Sequence, residues 1–263
     1  SELLQSQLLQ DINITPIQPS LSEANLNIVT QGGPADTGFN EFTPLFERNQ
    51  VQVTGSGVVG SNETLGGEAV ASALYDRFSL SAGAFGYETD GWRDNNDIDH
   101  NIYNVYFQTA ITEQLNLQLE YRRRETEYGD LDFNFDPDDF SDNEKNKLNQ
   151  DIARAALRYS PSASSDLILS YIYSDREATR RETENTDLGP LNVYDRGRDD
   201  GHQVDLQHIL RRERFNVITG GGFTRLDGDQ TLQLDLFDVD ESFNDETRFH
   251  QGYIYGNFNI PDP

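Results

Sequence analysis

No cysteine and no methionine occur among the 263 residues of this chain. That excludes a disulfide framework, thiol catalysis and zinc–thiolate sites. No run of about eighteen apolar residues is present, so a helical membrane span is excluded as well. Cationic side chains are scarce, 20 Lys and Arg against 46 Asp and Glu, for a formal charge of -26. Such a chain repels nucleic acid and phosphate surfaces unless divalent cations bridge them, so nucleic acid is not an expected partner. The sequence starts at Ser1 with neither an initiator methionine nor an apolar leader, as expected of a mature product or a fragment.

What is present is alternation. Ten segments read as amphipathic strands: residues 49–60, 66–75, 78–87, 101–111, 115–124, 147–159, 166–174, 201–210, 215–226 and 247–260. Most have about the ten residues that a tilted strand needs to cross hydrocarbon. The clearest is the fifth, where Leu115, Leu117, Leu119 and Tyr121 alternate with Asn116, Gln118, Glu120 and Arg122. Period two puts these sets on opposite faces. The sixth sets Ala153, Ala155, Leu157 and Tyr159 against Arg154 and Arg158. Elsewhere the pattern is broken: Ile168 and Ile172 oppose Leu167, Leu169, Tyr171 and Tyr173, and His208 falls in line with Val204, Leu206 and Leu210.

The connectors carry the stronger signal. Four long ones (88–99, 125–146, 175–200 and 227–246) hold most of the acidic residues, and they alternate with short polar links at 76–77, 112–114, 160–165 and 211–214. Every long connector joins an odd strand to the next even one. A meander that spans an outer membrane has this parity, with short turns on the periplasmic rim and long loops outside. The expected fold is therefore all-β, an antiparallel up-and-down transmembrane β-barrel with about ten strands present. Tyr75, Phe78, Tyr159 and Phe215 beside the short turns, and Tyr87, Trp92, Tyr103, Tyr121 and Tyr173 near the long loops, are expected to form two interfacial girdles. In the fifth strand, Leu117 and Leu119 are expected to face lipid and Gln118 and Glu120 the lumen, where substitution should cost little.

Residues 1–48 lack this alternation and are broken by Pro16, Pro19, Pro34 and Pro44. We assign 1–48 as a connector from an upstream domain and 49–263 as the barrel. The closing Ile260-Pro261-Asp262-Pro263 reads as the start of another turn, so a partial barrel, the first part of a larger one, is expected.

Chemical motifs are few. Gly55-Ser56-Gly57-Val58-Val59-Gly60 has the spacing of a dinucleotide fingerprint but lacks the following helix. Gly220-Gly221-Gly222 reads as close packing on a strand. Asp132, Asn134 and Asp136 place oxygens at alternate positions, as a calcium loop begins, yet Pro137 stands where an EF-hand needs glycine. A looser calcium or magnesium site using Asp132, Asn134, Asp136 and Asp138 is one expectation, and Asp238, Asp240 and Glu241 offer a second acidic cluster. Otherwise no cofactor is expected. His100, His202, His208 and His250 show no metal-ligand spacing, and neither a HExxH motif nor a serine elbow occurs, so no enzyme is expected. Asn116, Gln118, Glu120, Arg122, Arg154 and Arg158 are the candidate pore-lining residues, the arginines forming a ladder with Glu120 that biases which ions pass.

The runs Phe39-Asn40-Glu41-Phe42-Thr43-Pro44-Leu45-Phe46-Glu47-Arg48-Asn49 and Gly57-Val58-Val59-Gly60-Ser61-Asn62-Glu63-Thr64-Leu65-Gly66 resemble the approach to the barrel in bacterial outer-membrane proteins that carry tetratricopeptide repeats upstream. The segments Tyr87-Glu88-Thr89-Asp90-Gly91-Trp92-Arg93-Asp94-Asn95-Asn96-Asp97 and Phe135-Asp136-Pro137-Asp138-Asp139-Phe140-Ser141 resemble the same group, whose barrels are similar to those of TonB-dependent receptors. The resemblance covers about residues 20–260. It implies the outer membrane of a Gram-negative-type bacterium, with outer-membrane lipid and a periplasmic tetratricopeptide-repeat domain of the same polypeptide as partners. The expected function is a passage or receptor for a solute or polymer. The alternatives are a non-transporting scaffold barrel whose loops bind a partner, a polysaccharide or divalent cations, and a soluble acidic β-protein that binds carbohydrate.

Overall fold

The computed structural model describes residues 48–132, 140–187 and 189–258. They form one antiparallel sheet in chain order: β1 (Gln50–Val59), β2 (Leu65–Tyr75), β3 (Phe78–Thr89), β4 (Ile98–Ala110), β5 (Leu115–Tyr128), β6 (Lys145–Ser162), β7 (Ser165–Thr186), β8 (Gly189–Arg211), β9 (Phe215–Leu234) and β10 (Val239–Phe258). Each strand pairs with its chain neighbours, so every connection is a hairpin. Among the described residues β1 pairs only with β2 and β10 only with β9, leaving an open, partial-barrel sheet. Except for Arg48, the connector assigned to 1–48 lies outside the described residues, as does the turn assigned to 260–263.

The turns explain themselves chemically. Asp76, with φ 54°, occupies the left-handed region in the two-residue link from β2 to β3, a conformation that Asp tolerates better than most residues. In the β4–β5 link, Thr112 Oγ1 accepts hydrogen bonds from the backbone N–H of Gln114 (3.2 Å) and Leu115 (3.0 Å). The rims alternate as in any antiparallel meander, but the expected alternation of long and short connectors is kept only in part, since 187–188 and 235–238 are no longer than 111–114. The links at 76–77, 111–114, 163–164 and 212–214 share one rim, and the described residues of the other links (60–64, 90–97, 129–132 with 140–144, 187 and 235–238) share the other.

Two of the four long acidic connectors are not loops. The ladder of β7 with β8 continues from Asp175↔Asp200 to Thr186↔Gly189, and that of β9 with β10 from Asp227↔Glu246 to Leu234↔Val239. β7 therefore has 22 residues and β8 has 23, about 70 Å of strand, well over what a bilayer needs. The sequence reading missed them because it sought an apolar face. Here the outer face is charged, with cross-strand pairs such as Arg198–Asp175 (3.0 Å) and Arg196–Glu177 (2.9 Å), and apolar side chains return on the inner face near the tips, at Leu191, Val193, Leu232, Leu234 and Val239.

On the outer face one register row crosses all ten strands: Val51, Ala73, Leu80, Phe107, Leu119, Ala155, Tyr171, Val204, Phe223 and His250. Most of its large apolar members are exposed. A water-facing sheet does not align apolar side chains across its whole width, whereas a lipid-facing wall does. Four positions further toward the hairpin tips, the outer row reads Arg123, Asp151, Asp175, Asp200, Asp227 and Glu246 on β5 to β10. Apolar wall thus gives way to charge within about 14 Å. Tyr75, Phe78, Tyr159, Tyr103 and Tyr121 are exposed on the outer face. Tyr87 departs from the expected girdle, because its ring lies against Gly66 on the inner face.

The inner face holds the packed interior. Ala156, Ile168 and Ile209 are buried there with Ile218 against them, and Leu74 packs with Tyr106. Ile168 and Ile172, which broke the alternation, are both buried, so they serve this inner cluster.

Candidate functional site

All six candidate pore-lining residues fall on the inner face. Asn116 pairs across to Arg158, Glu120 to Arg154, and Arg122 lies opposite Ile152. Asn116 and Gln118 are buried. Glu120 is the hub: Asn104 Nδ2 donates to one of its oxygens (2.8 Å), and the Arg154 guanidinium pairs with the other. Each charge is thereby held by a partner, which a half-buried ion requires.

Two further arginines belong to this wall. Arg124 continues the alternation of β5 by one step, and Arg176 on β7 shares its register row through Gln150. Arg176 also lies 3.6 Å from Asp199. Arg124 was legible in the sequence by extending the period-two count past Arg122. Arg176 was hidden because its segment read as loop. The acids that flank the wall are Asp166, paired with Arg211 and accepting from Ser160 Oγ (2.5 Å), and Asp205, which accepts from Tyr253 Oη (3.0 Å).

Tyr253 reaches Asp205 from two strands away because β9 is bare beneath it. A Cβ on Gly220 would lie 2.3 Å from the tip of the Tyr253 ring, and one on Gly222 would lie 2.9 Å from Asp205 Oδ2. The triple glycine of the sequence is thus a slot for an aromatic ring.

At the tip-side rim the β3–β4 and β5–β6 loops are clasped together. Arg93 Nη2 lies 3.1 Å from Asp130 Oδ1, their side chains 7 % and 6 % exposed, and it donates to the carbonyls of Asp130 (3.2 Å) and Asp132 (2.8 Å). The rings of Trp92 and Phe140 flank the guanidinium at 5.2 and 5.0 Å. Asn95 Nδ2 donates to the carbonyls of Ser141 (2.8 Å) and Glu144 (2.9 Å). Close approach here requires glycine: a Cβ on Gly129 would lie 2.0 Å from the Asn95 carbonyl oxygen.

Burial pushes the Asp130 carboxyl upward. The backbone N–H groups of Ser141 (2.7 Å) and Asp132 (2.8 Å), with Arg93, outweigh it and hold the group below its ordinary 3.8. A depressed folded-state value gives stability that is present above 3.8 and lost as pH falls through the folded value. Emission from Trp92, the single tryptophan, should therefore stay constant above about pH 4 and change below it. Asp130→Asn should abolish that acid transition, and an unchanged titration in this variant would remove Asp130 from the account.

Of the expected cation ligands only Asp132 is described, and its carbonyl is engaged by Arg93. Asn134, Asp136 and Asp138 lie outside the described residues. Asp238 is the left-handed cap (φ 49°) of a short 3-10 turn, Asp235–Phe237. Among the described residues no group of three His, Asp or Glu side chains could hold a metal ion.

No family model matches the chain, and no curated protein matches it. Solved structures do. The ferripyoverdine receptor of the outer membrane of Pseudomonas aeruginosa superposes with a TM-score of 0.61 at 10% identity, over 83% of this chain and 36% of that one. The ferric citrate transporter FecA gives 0.57 at 12% identity, over 80% and 35%. The RagAB peptide transporter gives 0.56 at 9%, over 75% and 30%. The chain thus spans about a third of the length of these structures. At such identities the likeness is one of fold alone: an antiparallel, up-and-down β-sheet that superposes on part of the barrel in each of these structures.

Proposed function

We propose that this chain forms part of the wall of an outer-membrane barrel in a Gram-negative-type bacterium, and that the whole barrel serves as a passage or receptor for a solute or polymer. The observation that carries this reading is the outer row that is apolar on nine strands and ends at His250 on the tenth, backed by an inner face that bears polar side chains and arginines. Lipid covers the outer row, and the inner face lines the route. The structural neighbours, which handle ferripyoverdine, ferric citrate and peptides, support the same coarse class. A tetratricopeptide-repeat domain of the same polypeptide on the short-turn side is part of the proposal and rests on the sequence resemblance alone. The long polar hairpins of β7 to β10 favour a second reading, a scaffold barrel that presents them to a partner.

Topology is the test. Since the chain has no cysteine, single cysteines can be placed at Trp92, Asp142, Asp187 and Asp238 on the tip side and at Asp76, Glu113 and Glu213 on the short-turn side. An impermeant maleimide should label the first group on intact cells and the second only after the outer membrane is opened. A tip position that labels only in opened cells would refute the topology.

A further inference from the structure

The whole chain has more than twice as many acidic as basic side chains, yet on one wall arginines outnumber acids. On the inner faces of β5, β6 and β7, between the levels of Asn116 and Arg124, stand Arg122, Arg124, Arg154, Arg158 and Arg176, of which Arg154 pairs with Glu120 and Arg176 with Asp199. Asp166 lies one step below them, and Asp199 and Asp205 flank them on β8. The arginines are spread along the strands rather than gathered at one point. From the Asn116–Arg158 pair to Arg124 is eight residues of β5, about 27 Å, close to the roughly 25 Å apolar height of an outer-membrane barrel.

We propose that the occupant of this inner wall is an anionic solute, bearing carboxylate, phosphate or sulfonate groups. This rests on the passage or receptor reading given above. Guanidinium groups offer planar forks of donors that match such oxyanions. Cations repeated along the height of a passage lower the barrier to an anion at every level, not only at its mouth. The acidic hairpins outside would repel the same solute, so selection falls to the inner wall and not to capture at the surface.

The test uses the full-length protein in non-ionic detergent at low ionic strength, with fluorescence polarisation of a trisulfonated pyrene and of a pyrene carrying three trimethylammonium groups. The sulfonated probe should bind and the ammonium probe should not. Arg122→Gln combined with Arg158→Gln should weaken binding by about tenfold or more, Arg122→Lys should retain most of it, and Arg248→Gln on the outer face of β10 should leave it unchanged. Near-ultraviolet circular dichroism checks the fold of each variant. If the double variant misfolds, Arg122→Glu alone carries the comparison. Absence of sulfonate binding, preference for the ammonium probe, or an equal loss in Arg248→Gln would overturn the proposal. Failure of the passage reading would show elsewhere, as a protein that does not fractionate with the outer membrane whichever probe it binds.

Discussion

Arginine in place of Leu119 is expected to destabilise the folded sheet in a bilayer by roughly 2–4 kcal/mol. Leu119 is 42 % exposed on the outer face, in the row that crosses all ten strands. In a water-facing sheet the same substitution is a surface change, worth within about 0.5 kcal/mol. The size of the loss therefore reports what covers that face. Urea titration in lipid vesicles, wild type against Leu119→Arg, gives the number, and a difference under about 0.5 kcal/mol would count against lipid. The neighbouring inner position is not the neutral control that sequence alone suggested. Gln118 is 1 % exposed, so a longer side chain there has no room and should also destabilise. An unoccupied lumen tolerates luminal changes, whereas a packed inner wall does not.

Arg93→Ala should open the clasp between the two tip-side loops. It removes one member of a buried ion pair and leaves Asp130 charged among groups that no longer compensate it, a loss on the order of 3–5 kcal/mol. The carbonyls of Asp130 and Asp132 lose their donor as well. The effect should be local, because the ladder of β4 with β5 ends at Ile98↔Tyr128 and does not depend on the clasp. Hydrogen exchange should thus accelerate by orders of magnitude at the Ser141 and Asp132 amides and remain unchanged at the centre of β5. Equal acceleration in both places would mean that the loops hold the sheet together and are not merely carried by it.

The legibility of the sequence varied with the physics of each element. β5 was readable because one face meets apolar surroundings and the other polar ones, which writes a period of two directly into Leu115 to Arg122. The short turns were readable from their polar residues. The outer halves of β7 to β10 were not, because their charged middle stretches carry no hydrophobic period, their pairing there is set by partners such as Asp175 and Arg198 that are far apart in sequence, and the apolar alternation of Leu232 and Leu234 is too short to mark a strand by itself. Arg93 was missed for a related reason. A lone arginine in an acidic loop resembles any solvated charge, and its partner Asp130 lies across another hairpin. Gly129 and Gly91 were the available signals, since each sits where a side chain would strike the other backbone or the Asn96 carbonyl. The inner face was predicted as polar and proved to be mixed, with Ile168, Ile209 and Ile218 giving it an apolar floor near the short-turn rim.

The tyrosine slot on β9 bears on assembly. A glycine-rich strand specifies its alignment weakly, because few side chains resist sliding. Tyr253 removes that freedom: displaced by one residue along β9 it would change faces, and displaced by two it would meet Ile218 or abandon Gly220 for Gly222, where Asp205 already lies. Its hydroxyl, seated on β8, fastens the outermost strand to the third one in. The free backbone groups of β10 are therefore held at fixed heights, like the teeth of a rack. Any strand that joins this edge inherits its alignment from one aromatic ring two hairpins away from the nearest tip-side clasp.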